Sequence, residues 1–159
     1  MNEKLIKLLR QDSRTDPREL ASMLGVPESE VTDRIAKLER DGVIRGYTVL
    51  IDEERLDRNA VTAQIELKVT PQAENGYDGI AERLCGFPEI AGVQLMSGNC
   101  DLLVTMRGSS FRDIAFFVSE NLATIDGVMS TRTKIILRRY KEEGVVFGDD
   151  DDTDERGKL

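Results

Sequence analysis

TDPRELASMLGVPESEVTDRIAKLERDG, residues 15–42, holds two helices and the turn between them. Asp16 is placed to cap, Pro17 suits the first helical position and Glu19 stands three residues after the cap, so a helix starts here. Leu20, Met23 and Leu24 supply its buried face, and Gly25 supplies the positive φ needed at the turn. The next helix runs from PESEV and is closed by Gly42; its Val31, Ile35 and Leu38 fall within about 60° of one another at roughly 100° per residue. Upstream, Leu5, Leu8 and Leu9 at i, i+3, i+4 spacing predict a helix over residues 2–10. Two helices joined by a short Gly-containing turn, with a third packed against them, make a helix-turn-helix candidate.

The opposite face of the third helix carries Ser29, Asp33, Ala36, Lys37 and Arg40. If the unit binds double-stranded DNA, this face enters the major groove, with its amino-terminal half nearest the base edges and its basic residues nearest the phosphates. The candidate contacts are Ser29, Thr32, Asp33, Arg34, Lys37 and Arg40. Glu28, Glu30 and Asp33 put negative charge where such a helix meets DNA; a carboxylate can accept from cytosine N4 but repels phosphate. A solvated helix face is the other reading, and charge alone does not separate the two.

After Gly42 the period changes. VIRGYTVLID predicts a strand leaving the helical unit, and EERLDRN a polar connector. From Ala60, Val61, Ala63, Ile65, Leu67 and Val69 alternate with Thr62, Gln64, Glu66 and Lys68, the pattern of a strand buried on one side in an antiparallel or mixed sheet. Asn75 is placed to cap a helix with Tyr77, Ile80, Ala81 and Leu84 inward, stopped by Gly86 and Pro88. Strands follow over residues 90–97 and 101–107, and Ser110 caps a helix burying Phe111, Ile114, Ala115, Val118 and Leu122. A final strand covers residues 127–141. The order βαββαβ, with right-handed crossovers, puts both helices on one face of a four-stranded sheet in the ferredoxin-like arrangement. The fold class is therefore α+β, a three-helix helix-turn-helix domain followed by a ferredoxin-like βαββαβ domain. The second sheet face is expected to expose many apolar side chains, which calls for self-association.

The 159 residues allow one ordinary domain or two small ones, domains commonly running to about 100–150 residues. The formal charge of −8, from 22 basic and 30 acidic residues, argues against a nucleic-acid partner until it is divided along the chain. Residues 1–46 are net 0, residues 47–141 net −2 and residues 142–159 net −6. The ending GDDDDTDERGKL has too little apolar content to offset its ordering entropy, so residues 142–159 are expected to form a disordered acidic tail; the other reading makes it a phosphate mimic that competes with DNA. With no histidine, serine–histidine hydrolysis and most zinc and haem chemistry are excluded. No cofactor or metal is expected. Cys85 and Cys100, without a C-x-x-C, fit reduced thiols in a cytoplasmic chain, with Cys85 a small buried residue at a helix end. No apolar run approaches the roughly 20 residues of a membrane span.

DSR (Asp12–Arg14), ELASMLGV (Glu19–Val26), VTDRIAKLERDGVIRGY (Val31–Tyr47), GNCD (Gly98–Asp101) and GVMSTRT (Gly127–Thr133) give the chain its resemblance to the Lrp/AsnC family of transcription regulators, over residues 2–141. The resemblance implies a sequence-specific DNA-binding regulator that dimerises through its second domain and assembles further, to an octamer or similar. It also implies a small effector, usually an amino acid, held between second domains of neighbouring subunits. By position, Gly98, Asn99, Cys100 and Asp101 would form the effector loop, with Ser130, Thr131 and Thr133 as further contacts. Asp101 could receive an effector ammonium, or it could simply close a turn. Pro27 stands where the family often has a capping serine, and Cys100 where a bulky residue is common. Phosphate contacts are left to Arg34, Lys37 and Arg40, with Arg14, Arg18 and Arg45. The expected divisions are residues 1–46 for DNA, a strand linker at 47–59, residues 60–141 for effector binding and oligomerisation, and the tail. Two other readings are an oligomeric amino-acid sensor with little DNA affinity and a siroheme decarboxylase-like enzyme, the latter opposed by the missing histidines.

Overall fold

The computed structural model describes residues 1–71 and 74–147, apart from the Glu54 side chain. The chain divides into two compact units, Met1–Leu50 with Lys141–Val146, and Ile51–Tyr140 with Phe147. In the first, α1 (Asn2–Gln11), α2 (Pro17–Leu24) and α3 (Glu28–Arg40) form the helical trio. Asp16 Oδ1 accepts the Arg18 N–H at 2.8 Å, Pro17 fills the first turn of α2, and Gly25 ends it at φ +68°. Pro27 precedes α3 without a side-chain cap. Leu5, Leu20, Ala21, Val31 and Leu38 are buried together, with Leu8, Leu9, Leu24, Val26 and Ile35 packed around them. Each fully buried aliphatic contributes about 1.5–3 kcal/mol, so this small core holds the trio. Met23, expected inside, is 57% exposed. At about 100° per residue it lies on the far flank of Leu20 from Ala21 and Leu24, and the core takes those two.

The second unit is a four-stranded antiparallel sheet of β1 (Val61–Val69), β2 (Ile90–Leu95), β3 (Leu102–Gly108) and β4 (Val128–Ile135), in the order β2-β3-β1-β4. α4 (Glu53–Leu56) precedes β1; α5 (Asp78–Cys85) follows it; α6 (Phe111–Phe117) joins β3 towards β4, widening to a π-helical turn over Val118–Leu122. This is the expected βαββαβ arrangement. The inward residues of β1 and β3, Ala63, Ile65, Leu67, Leu102, Val104 and Met106, pack with Ile80 and Leu84 of α5 and with Ile114, Val118 and Leu122, so both helices cover one face. Ser110 Oγ accepts the Asp113 N–H at 3.1 Å to start α6.

Several expectations are corrected. Residues 43–52 form no strand: alternation supplies the side-chain pattern, but no described segment offers them a ladder partner, and Val49 is 72% exposed. The polar connector instead contains α4, where the Asp52 side chain accepts the Arg55 N–H. Asn75 gives α5 no side-chain cap; its backbone carbonyl accepts the Asp78 N–H at 3.0 Å. Phe111 and Ala115 are exposed rather than inward, and so is Cys85. The second sheet face is largely polar, not apolar: Gln64, Glu66 and Lys68 of β1 pair across to Lys134, Arg132 and Ser130 of β4, and Glu66 meets Lys134 and, at 3.8 Å, Arg132. That face therefore does not itself demand self-association.

The last strand ends at Ile135, and residues expected in the tail form a hairpin. In it β5 (Lys141–Glu142) pairs with β6 (Val145–Val146) through Glu143 at φ +46° and Gly144 at φ +89°, the two positive values of a type I′ turn. The rest of the expected tail, residues 148–159, lies outside the described residues. No described helix is long and apolar enough to cross a membrane.

Candidate functional site

α3 presents its face through helical spacing. With Val31 and Leu38 buried, Ser29, Asp33, Lys37 and Arg40 project to the opposite side and are exposed, with Ala36 half-buried among them. Thr32 and Arg34 flank this face on either side. The Thr32 hydroxyl donates to the Glu28 carbonyl at 3.1 Å. Arg34 donates through Nε and Nη2 to Glu30 Oε1, at 3.1 and 2.6 Å, and through Nη1 to Asn2 Oδ1 at 3.1 Å, so its guanidinium ties α3 to α1. Of the six residues expected to face DNA, the structure brings four onto one face and uses Arg34 for packing.

The acidic start of α3 is largely answered by cations. Glu28 Oε2 lies 3.3 Å from Arg18 Nε on α2, and Glu30 holds Arg34. Asp33 keeps its charge on the outward face. Towards the other end, Lys37 Nζ meets Asp41 Oδ2 at 2.5 Å. Among the described residues Arg14, Arg40 and Arg45 make no ion pair and are exposed. The i, i+4 pairs Glu30–Arg34 and Lys37–Asp41 were readable from spacing, whereas Arg18–Glu28 depends on how α2 meets α3. Tyr47 donates to Glu39 Oε1 at 2.9 Å; partial burial first, then this bond and the Glu39 charge, push its phenol above the ordinary value of 10.0.

The residues expected to bind an effector sit at one end of the sheet. Gly98 takes φ +123°, with open space where a Cβ would stand. Asn99 is exposed and Cys100 half-buried. The Asp101 N–H donates to the Leu67 carbonyl at 2.9 Å, and its own carbonyl accepts from Met96 at 2.9 Å. Its side chain, 20% exposed, accepts the Val69 N–H on Oδ2 at 2.9 Å, while Oδ1 lies 3.6 Å from Lys68 Nζ. Asp101 thus closes the turn.

Across β1, Ser130 pairs with Lys68, Thr131 with Leu67 and Thr133 with Ile65. Paired residues share a face, so Ser130 lies on the open face with Lys68, and Thr131 and Thr133 on the helix-covered side. The set is brought to one end of β1 but not onto one face, and Thr133 lies two residues further along. Lys68 and the Val69 N–H were missed by sequence reasoning, because they meet Asp101 only where the start of β3 is laid beside the end of β1.

Residues 2–45 match the family described as winged helix-turn-helix DNA-binding, and residues 62–146 the family described as Lrp/AsnC ligand binding domain. The chain is 46% identical over 150 residues to the uncharacterized HTH-type transcriptional regulator YugG of Bacillus subtilis strain 168, spanning 92% of this chain and 90% of that one. It is 33% identical over 142 residues to the HTH-type transcriptional regulator FL11 of Pyrococcus horikoshii, spanning 89% and 91%. Its fold is also that of the transcriptional regulator NMB0573/L-Met complex from Neisseria meningitidis, with TM-score 0.72, 22% identity and coverage of 87% and 89%. The chain therefore belongs to the Lrp/AsnC family: it is a DNA-binding transcriptional regulator with a ligand-binding domain and not an enzyme, which removes the decarboxylase reading.

Proposed function

We propose that the protein is a cytoplasmic regulator that recognises a specific duplex, including DNA of its own promoter region, as a homodimer or a larger assembly such as an octamer. α3 lies in the major groove with Ser29 and Asp33 towards the base edges and Thr32 at their flank. Lys37 and Arg40 take phosphates, joined by Arg14, Arg18 and Arg45, while Arg34 holds the helix in place. The observation that carries this reading is the outward face of α3, where Lys37 and Arg40 project while Glu28 and Glu30 are held by Arg18 and Arg34. Few phosphate contacts per subunit make binding depend on several subunits acting together.

The effector in this proposal is an amino acid bound between subunits at Gly98, Asn99, Cys100 and Asp101, with Ser130, Thr131 and Thr133 of β4. Support comes from the cluster at the end of β1 and from the NMB0573 structure, described as a complex with L-Met. Asp101 offers an effector ammonium only Oδ1, the oxygen Lys68 now faces at 3.6 Å. Screening the twenty amino acids by thermal shift tests this, because a ligand that binds the folded state raises its melting temperature. The expected result is a rise with at least one amino acid, lost in Thr131→Val. If none shifts the melting temperature or alters DNA affinity, the amino-acid assignment is wrong while the DNA reading stands. The neutral balance of residues 1–46 favours one rival, a sensor with little DNA affinity; DNA titration separates the two.

A further inference from the structure

We propose that a groove at the end of the sheet away from Asp101 binds a second small molecule, a monocarboxylate with an apolar body of about six to ten carbons. This site is separate from the effector cluster and does not depend on the amino-acid reading.

The groove lies where three strands come together within the second unit. Val61, at the start of β1, pairs with Gly108 at the end of β3, and Ala63 pairs with Ile135 at the end of β4. Val69 and its bond to Asp101 stand at the other end of β1, about 25 Å away at roughly 3.4 Å per residue. The volume is about 690 Å³, inside the range of about 300–1,000 Å³ usual for small-molecule sites. Its walls are fixed by short local bonds. A Cβ on Gly108 would stand 2.9 Å from Ile114 Cγ1, so the missing side chain lets α6 start close to the end of β3. Ser109 Oγ then donates to Asp113 Oδ2, and the Ile136 N–H donates to the Thr62 carbonyl at 2.9 Å.

One side of the groove is apolar. Val61, Ile135 and Ile136 line it together with Phe111 and Leu137, which are 60% and 84% exposed. Phe111 has the spacing of an inward residue but stands outside the core, and Leu137 lies beyond the last residue of β4. Hydrocarbon laid along these side chains leaves water, which favours binding in proportion to the apolar area covered.

The polar groups select the charge. Arg58, Asn59, Ser109 and Ser110 complete the lining, and no carboxylate is among the lining residues of a chain that holds 30 acidic side chains. Arg58 is exposed and makes no ion pair among the described residues. The neighbouring carboxylates are engaged locally: Asp57 Oδ1 accepts the Asn59 N–H at 2.9 Å, and Asp113 holds Ser109. Ser110 Oγ accepts the Asp113 N–H at 3.1 Å and keeps its own proton to donate. One guanidinium and one hydroxyl balance a single negative charge, and the planar guanidinium matches the two oxygens of a carboxylate.

The experiment is isothermal titration of the full chain with butanoate, hexanoate, octanoate and decanoate, and with octanamide as the uncharged analogue. Affinity should rise by about two- to fourfold per added methylene, and octanoate should bind at least about tenfold tighter than octanamide. Arg58→Gln should weaken octanoate about tenfold and Leu137→Ser about threefold, with the ligand-free melting temperature of each variant close to that of wild type. Arg58→Gln should leave any amino-acid-induced shift unchanged, so failure of this site and failure of the effector reading are told apart. No binding of any of the four acids, equal affinity for octanoate and octanamide, or unchanged octanoate affinity in Arg58→Gln overturns the proposal. A lower mass of Leu137→Ser in light scattering, with octanoate affinity unaltered, makes the groove a contact between copies and overturns it too.

Discussion

The Asp101 carboxylate divides its oxygens between the Val69 N–H, at 2.9 Å, and the Lys68 ammonium, at 3.6 Å. Asp101→Ala leaves that N–H without its acceptor, and stability should fall by about 1–3 kcal/mol in urea unfolding; Asp101→Asn, which keeps an amide oxygen, should recover most of the loss. Equal losses in both variants would mean that the charge, not the acceptor, matters. GNCD was legible as a turn, but its bond to Val69 was not, since that contact is made 32 residues away in the sequence. Tyr47 gives a pH test. Its raised phenol pKa means that the fold favours the neutral form, so its contribution is present below pH 10 and lost as the pH rises through the folded value. The stability difference between wild type and Tyr47→Phe should therefore shrink or reverse between pH 7 and pH 11.

At the scale of elements, local chemistry was the legible part. The Asp16 cap, Pro17 and Gly25 set both ends of α2 from neighbouring residues alone. Asp16→Ala should cost about 1 kcal/mol, measured by thermal or urea unfolding. Gly127 is more demanding than Gly25. It takes φ +90°, and a Cβ there would stand 3.0 Å from Ile80 Cδ1 and 3.4 Å from the Thr70 carbonyl, whereas Gly25 has open space. Gly127→Ala should lose about 1–3 kcal/mol and more than Gly25→Ala; the reverse order would show that Ile80 moves aside freely. What the sequence left hidden depends on partners. Residues 43–52 alternate as a strand does, but pairing needs a second backbone, and none among the described residues provides it. The β5–β6 hairpin was overlooked because the acidity after Phe147 outweighed the short signal of Glu143–Gly144 followed by Val145 and Val146.

For the whole molecule, the distribution of charge outranks its sum. The formal charge of −8 falls mostly beyond residue 141, and the helical segment is neutral, so DNA affinity must come from a few placed cations. The two-domain architecture was legible because each domain announces its own period, 3.6 in the first and 2 in β1. The nature of the open sheet face was misjudged, although Gln64, Glu66 and Lys68 were already visible as its β1 residues, because the strands that complete it contribute Arg132 and Lys134. The central claim, that the outward face of α3 reads DNA, is tested most directly by one anisotropy titration across a salt series. It compares wild type with Lys37→Ala/Arg40→Ala, on the duplex upstream of the protein's own gene and on a random duplex. Wild type should prefer the former by at least about a thousandfold, and the double variant should bind more weakly, with a salt slope shallower by roughly 2–4 for a dimer. Equal affinity of wild type for both duplexes, or an unchanged slope in the variant, would contradict it.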